Sequence, residues 1–267
     1  MREELSRGAA ALAEAGCDTP RLDAELLLAE ALGVSRAALV TGSRDPVDSE
    51  AHSRFEELLA RRVDREPVAY ILGRREFRRL TLAVDRRVLI PRPESELLVE
   101  VAVELVPEGS RVADVGTGSG AVALALKDER PDLHVTGLDV SADALAVARA
   151  NGERLGLDVR WKRSDLLDSH GYDAVVANLP YVSPDEVLAP DIVRYEPAGA
   201  VFAAENGTEL VRRLVQQAGS RDDIRLLGLE IGAGQADAVA DLVTGRFGSV
   251  LRRRDLAGIE RVILGRR

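Results

Sequence analysis

From residue 111 onward the apolar positions of this chain fall into short unbroken runs, each closed by a polar or glycine-rich step and followed by a helical period. Runs at 111–115, 134–138, around 159–161, at 173–177 and at 225–231 read as strands, and that at 173–177 has the length and composition of one buried on both faces. Helical patterns fill the intervals: 121–130, a stretch opened by Ser141 with Ala144, Leu145 and Ala148 on one face, 208–218 and 235–243. This alternation predicts an α/β domain around a mostly parallel sheet. The last two runs, 249–253 and 259–264, have no helix between them. They predict an antiparallel hairpin at one edge, which brings the sheet to seven strands.

The front of the chain has a different period. Thr19 followed by Pro20 marks a helix start, Leu22, Leu26 and Ala29 line one face, and Gly33 is a stop. Asp48 is placed to cap a second helix whose stripe is Phe55, Leu58, Leu59 and Val63, ended by Glu66-Pro67. A small helical bundle over residues 1–66 follows. Between 67 and 92 the period falls to two: Leu80, Leu82 and Val84 alternate with Thr81 and Ala83, Asp85-Arg86-Arg87 supplies a turn, and Val88-Leu89-Ile90 returns. This reads as a β-hairpin connector. Pro93, Glu94 and Glu96 then open a helix carried on by Leu97, Leu98, Val101 and Leu105, so the α/β domain spans 93–267. Residues 182–206 hold three prolines and no clear period, which predicts a lid or substrate rim.

Composition narrows the class. With 46% apolar residues the 267-residue chain can bury a full core. One cysteine, Cys17, excludes a disulfide framework, and the three histidines, His52, His134 and His170, show no metal-ligand spacing. A metal-free cytoplasmic protein is expected. The first residues are charged rather than apolar and no apolar run reaches the ~18 residues of a membrane span, so neither a signal peptide nor a membrane partner is expected. A net charge of −9 opposes a surface that tracks phosphates, which makes nucleic acid a disfavoured partner.

The chemistry gathers at the strand ends. Gly116-Thr117-Gly118-Ser119-Gly120 follows the first strand of the domain and precedes its helix, an arrangement in which glycines let the backbone approach a nucleotide. Asp139 ends the second strand, placed for ribose hydroxyls, and Asp165 follows the third, placed for an adenine amine. Gly116, Gly118 and Ala121 also satisfy a relaxed dinucleotide pattern, so NAD remains open on these residues. The fourth strand ends in Asn178-Leu179-Pro180-Tyr181. An amide, a carbonyl outside the sheet, a stiff ring and a phenol suit the gripping of a planar NH2 group. Arg92, held between Pro91 and Pro93, is a candidate wall for the same site.

With these pieces in order the chain resembles the class I methyltransferases that use S-adenosylmethionine, and within them the HemK/PrmC family of peptide chain release factor glutamine methyltransferases. The carriers are the stretches 67–73 with Phe77, 89–96 containing Pro91-Arg92-Pro93-Glu94, 114–120, Asp139, 178–181, Tyr195-Glu196-Pro197, Glu230-Ile231-Gly232 with Gln235, and 258–262. The resemblance implies a Rossmann-like methyltransferase sheet behind an N-terminal substrate-docking domain, and release factors as protein substrate. It also implies cofactor contacts at Gly116, Thr117, Gly118, Ser119, Gly120, Asp139, Asp165, Leu166 and Asn178. Catalysis and substrate binding fall to Asn178, Leu179, Pro180 and Tyr181, with Arg92 on the substrate side. Two positions depart from the family: Leu179 stands where proline is usual, and Ser95 where threonine is usual. Asn-Leu-Pro-Tyr is similar to the motif of rRNA adenine dimethyltransferases. An adenine amino-methyltransferase acting on RNA or DNA is therefore the alternative, with a non-catalytic or nicotinamide-binding Rossmann protein behind it.

Overall fold

The computed structural model describes residues 1–41 and 45–267. In chain order its helices and strands begin with α1 (Arg2–Glu14), α2 (Pro20–Leu32), α3 (Arg36–Thr41), α4 (Ser49–Val63), α5 (Val68–Leu72), β1 (Arg74–Phe77), β2 (Leu80–Ala83) and α6 (Ser95–Leu105). They continue with β3 (Arg111–Val115), α7 (Ala121–Glu129), β4 (His134–Asp139), α8 (Ala142–Leu155), β5 (Arg160–Arg163), β6 (Ala174–Ala177), α9 (Pro190–Tyr195), α10 (Ala198–Val201) and α11 (Ala204–Gly207). The last are α12 (Glu209–Gly219), β7 (Leu226–Glu230), α13 (Ala236–Thr244), β8 (Ser249–Arg254) and β9 (Glu260–Arg266). The chain divides into two compact units, Met1–Arg74 with Leu188–Tyr195, and Arg75–Val187 with Glu196–Arg267.

The first unit is a helical bundle around Leu5, Leu12, Leu27, Leu28, Phe55 and Leu59. Asp48 caps α4 by accepting from the Ala51 N–H at 2.8 Å, and Gly33 closes α2 at φ 64°. Ala29, Phe55 and Leu59 are buried as expected, but the edges of both apolar stripes shift. On α2, Leu22 is exposed and Leu26 half-buried, while Ala24, Leu27, Leu28 and Ala31 face inward; on α4, Val63 is exposed and Arg62 is buried. One contact accounts for both shifts. Arg62 Nε donates to Asp23 Oδ2 at 2.7 Å, so each helix turns a charged residue into the core and an apolar one outward. The bundle also takes in α9, far along the chain. Arg62 Nη1 donates to Asp191 Oδ2 at 2.7 Å, Arg65 Nε donates to Asp191 Oδ1 at 2.6 Å, and the Tyr195 hydroxyl donates to Asp64 Oδ2 at 2.8 Å.

The second unit carries a seven-stranded sheet, in order β5-β4-β3-β6-β7-β9-β8. β5, β4, β3, β6 and β7 run parallel, and β9 and β8 add the expected antiparallel hairpin at one edge. Side chains alternate between two cores. Val112, Ala174, Val176 and Leu226 join α6 and α7 on one face, and Ala113, Val175, Ala177, Leu227 and Leu229 join α12 and α13 on the other. Trp161 of β5 lies against Gly120, Gly137 and Gly152, where a Cβ would come within 2.9, 2.5 and 3.4 Å of its ring. These glycines make the room that the indole fills.

The connector is a hairpin, but not between the strands expected. β1 pairs with β2 across Arg78-Arg79, with Arg78 at φ 53°, and residues 88–90 join no strand. The return segment finds other partners: the Ile90 N–H donates to Glu196 Oε2 at 3.1 Å, and Val88 and Leu89 line a cavity. Residues 182–206 contain three helices of four to six residues, too short for a 3.6-residue period to show in sequence.

Candidate active site

The carboxyl ends of β3, β4 and β6 open on a cavity of about 320 Å³ within the second unit. β3 and β4 stop at Val115 and Asp139, and β6 stops at Ala177, so the glycine loop, the acid and Asn178 arrive at one edge. Gly116 and Gly118 line the cavity at φ 75° and 55°. At Gly116 a Cβ would come within 3.0 Å of Leu179 and 3.3 Å of the Asn178 carbonyl oxygen, so only glycine fits between the loop and the segment after β6. Asp139 lines the same space with its carboxylate already oriented. Oδ2 accepts from the Gly118 N–H at 2.9 Å and Oδ1 from the Ser141 N–H at 2.8 Å.

Beneath the loop lies Asp114, which is buried. Its Oδ2 accepts from the Thr117 hydroxyl at 2.5 Å and from the Ala123 N–H at 3.1 Å. Burial pushes this carboxyl up to about 7; those two hydrogen bonds pull it back and the nearby Asp139 adds to the rise. A folded-state value above the unfolded one means that the folded protein holds the proton longer, so stability is lost as pH rises from about 4 through 7. Asp114→Asn keeps an acceptor for both donors and removes the titration. The variant is expected to gain stability over the parent across this window, by a few kcal/mol at pH 8. Urea unfolding of both proteins between pH 4 and 8 checks this, and a difference that does not grow with pH refutes it.

The structure brings some of the expected site residues together and sets others apart. Gly116, Gly118, Asp139, Asp165, Leu166, Asn178, Leu179 and Pro180 line the cavity. Asp165 is also ion-paired, its Oδ2 lying 2.6 Å from Arg213, and Leu166 is buried at φ 63°. Thr117, Ser119 and Gly120 do not line the cavity; they are framework, with Thr117 on Asp114, the Ser119 carbonyl accepting from Asn151 Nδ2 at 3.0 Å, and Gly120 against Trp161. Tyr181 lies outside the lining too. Its carbonyl accepts from Gln235 Nε2 at 2.9 Å and its ring abuts Gly232. Arg92 likewise stands outside, ion-paired with the buried Glu196.

Asn178 has the most informative surroundings. Its Nδ2 donates to Ser95 Oγ at 2.9 Å, which fixes the side-chain amide against the first residue of α6. Beside Ser95 lies Glu230 at the end of β7, 1% exposed, with neither carboxylate oxygen hydrogen-bonded among the described residues. Sequence reasoning named neither Ser95 nor Glu230 as a site residue. The signals available were an acid closing an otherwise apolar strand, the pattern that singled out Asp139, and the place of Glu230 and Ser95 in the stretches that carry the family resemblance. Glu196 and Asn151 were also passed over, because both act through backbone groups distant in sequence. Asn151 holds Ala83 of the hairpin as well as Ser119 of the loop.

Against known proteins, the family models of the PrmC N-terminal domain and the methyltransferase small domain match residues 3–73 and 93–195. A release factor glutamine methyltransferase of Pseudomonas aeruginosa is 44% identical over 259 residues, covering 93% of this chain and 94% of that protein. The proteins so named in Koribacter versatilis and Deinococcus radiodurans are 39% and 36% identical, covering 96% and 100% of this chain and 94% and 98% of their own lengths. The chain belongs to the release factor glutamine methyltransferase family. Its departure at Leu179 therefore lies within that family. Among solved structures, the hMettl16 catalytic domain in complex with a 3'UTR hairpin aligns with TM-score 0.59 at 16% identity, over 79% of this chain and 80% of that one. A methyltransferase from Pyrococcus furiosus aligns with TM-score 0.53 at 16% identity, over 69% and 87%. At this identity the likeness is one of fold, a Rossmann-like methyltransferase sheet.

The cofactor of the family is S-adenosylmethionine, and the cavity fits it. Glycines at 116 and 118 leave room for backbone approach, the Asp139 carboxylate lines the space as an acceptor, and Val140, Leu166 and Leu210 offer apolar wall for a flat ring. No helix among the described residues is long and apolar enough to cross a membrane.

Proposed function

We infer that this enzyme methylates the side-chain amide nitrogen of the glutamine in the Gly-Gly-Gln motif of peptide chain release factors. The observation that carries this reading is the full-length similarity to proteins named for that activity, at 36–44% identity, together with a cofactor cavity bordered by Asn178. When bound, S-adenosylmethionine supplies an electrophilic methyl group on a positively charged sulfur. The glutamine nitrogen is a poor nucleophile because its lone pair is delocalised into the carbonyl, so the chain must orient it. In this reading the Asn178 Oδ1 and the Leu179 carbonyl accept the two N–H groups, Pro180 keeps that carbonyl turned inward, and Tyr181 packs near the amide plane. Position 179 acts through its backbone, which leucine supplies as proline does. With the methyl delivered to the nitrogen and the thioether left as the leaving group, the amide nitrogen held by Asn178 and Leu179 would give its proton to water. No strong base is needed, which accords with a lining free of His and Lys among the described residues. Alignment of this kind can recover up to about 7–11 kcal/mol of barrier.

The remaining roles are proposed on the same footing. Asp139 accepts the ribose hydroxyls, Asp165 and Leu166 border the adenine, and the helical unit over residues 1–66 docks the release factor. A substrate that works on the ribosome puts the reaction in the cytoplasm. Asp139→Ala is expected to weaken cofactor binding by tenfold or more, since charge-assisted hydrogen bonds contribute about 1.5–3 kcal/mol each. Calorimetric titration checks it, and unchanged affinity removes Asp139 from the ribose. The function itself is tested by offering labelled S-adenosylmethionine with a purified release factor and, side by side, unmodified ribosomal RNA. Label on the protein, abolished when the Gly-Gly-Gln glutamine is replaced, is expected. Label on RNA alone overturns the reading.

A further inference from the structure

Among the described residues Glu230 is the one buried carboxylate near the site with no hydrogen bond within ordinary distance. It closes β7 at 1% exposure, and both of its oxygens are unpartnered among the described residues. Leaving such a group unmet is costly, so its retention calls for a use. The surroundings define one. Ser95, itself buried, lies beside the carboxylate and accepts the Asn178 Nδ2–H at 2.9 Å. A serine hydroxyl that accepts one hydrogen bond still has its own hydrogen to donate. The Glu230 carboxylate is placed to take it.

We propose that Glu230 is a positioning residue for methyl transfer, acting through the Ser95 hydroxyl to hold the Asn178 amide with its nitrogen on Ser95 and its oxygen toward the substrate. The inference rests on the glutamine-methylation reading and adds the device that sets the amide's direction. With the carboxylate ionised, the Ser95 hydrogen points to Glu230 and its lone pair to Asn178. With Glu230 protonated, or replaced by an amide, that position gains a donor of its own, which can donate to Ser95 Oγ and leave the Ser95 hydrogen to bond the Asn178 oxygen instead. The amide then turns over and offers the substrate N–H groups a donor rather than an acceptor.

The charged groups around Glu230 set the pH at which this happens. Burial pushes its carboxyl up to about 7; Ser95, Arg261 and Arg92 pull it back, and Glu94 adds to the rise. Tyr181 also faces it, and its phenol is raised by burial and then by Glu230. Turnover of the parent enzyme is therefore expected to fall on the acid side of pH 7, with cofactor affinity unaffected.

The test measures kcat, KM for the release factor and S-adenosylmethionine affinity for the parent, Glu230→Gln, Ser95→Ala and the double variant, from pH 6 to 9. Glu230→Gln is isosteric and removes a buried unpaired charge, so folding is not at risk; circular dichroism confirms it. Each single variant is expected to lose about tenfold in kcat at pH 8.5, the worth of one ordinary hydrogen bond. The double variant is expected to lose no more than either single one, cofactor affinity stays constant, and the acid limb near pH 7 disappears in Glu230→Gln. Parental kcat in Glu230→Gln overturns the proposal. So does an acid limb that survives there, which would belong to Asp114, and so do losses that multiply in the double variant, which would mean that Glu230 meets the substrate directly. A parent enzyme that transfers no methyl to the glutamine fails at an earlier step and refutes the underlying reading, and the proposal with it.

Discussion

Asn178→Ala is expected to lower turnover by a factor on the order of 10² or more while S-adenosylmethionine affinity stays within a few-fold of the parent. The size of the effect follows from what the side chain does. Its nitrogen is committed to Ser95, so its oxygen is the acceptor that remains for a substrate amide. Alanine deletes that acceptor and leaves the glutamine free to rotate about its last bond. The nitrogen then spends most of its time aimed away from the methyl group. The cofactor contacts proposed for Gly116, Gly118 and Asp139, which line the cavity, are left in place, which is why the loss should appear in kcat and not in cofactor binding. Labelled methyl transfer to a release factor, with circular dichroism as the fold control, decides it. Near-parental turnover in a folded variant would remove Asn178 from the chemistry.

The largest effect on stability is expected at the buried guanidinium of the first unit. Arg62→Ala should cost that unit about 3–5 kcal/mol, because breaking a buried ion pair from one side leaves the other side charged and unmet. Here two carboxylates lose a charged partner, Asp23 being left with the Thr19 hydroxyl alone among the described residues. Asp23 is 4% exposed and loses its Nε donor at 2.7 Å, while Asp191 keeps only Arg65. Removing both charges of the core pair, as in Asp23→Leu combined with Arg62→Met, should recover much of the loss, since apolar side chains of similar volume tolerate that position. Hydrogen exchange at the amides of α2 and α4 is the suitable readout, because it reports the helical unit separately from the sheet. The cofactor cavity lies within the second unit, so its affinity should hold. Exchange in α2 and α4 unchanged by Arg62→Ala would show that the pair contributes nothing.

The stripes on α2 and α4 show where sequence reading ended. Periodicity located both helices, their caps and their stops, because those features are local: Asp48 needs only the N–H three residues on, and Gly33 only its own φ. Ala29, Phe55 and Leu59 are buried as expected, but the edge of each face was misjudged, because the deciding contact joins residues 39 apart and no local pattern ranks an Arg above a Val for the core. The hairpin connector has the same history. Alternation at Leu80 and Leu82 was real, yet the partner strand was chosen by the positive φ of Arg78 and by Glu196 drawing residues 88–90 elsewhere.

For the site the division is sharper. The sheet, its edge hairpin, the glycine loop, the acid after the second strand of the domain and the Asn-Leu-Pro-Tyr segment are all legible along the chain. Strands buried on both faces and glycines at tight turns leave marks within a few residues of themselves. Which of these line the cavity depends on contacts between residues far apart in the chain. Thr117, Ser119 and Gly120 turned inward as framework, Arg92 went to Glu196, and the Ser95 hydroxyl came to rest between Asn178 and Glu230. Those three residues stand 83 and 52 positions from one another along the chain, and parallel strands with helical crossovers are what bring such distant positions to one edge.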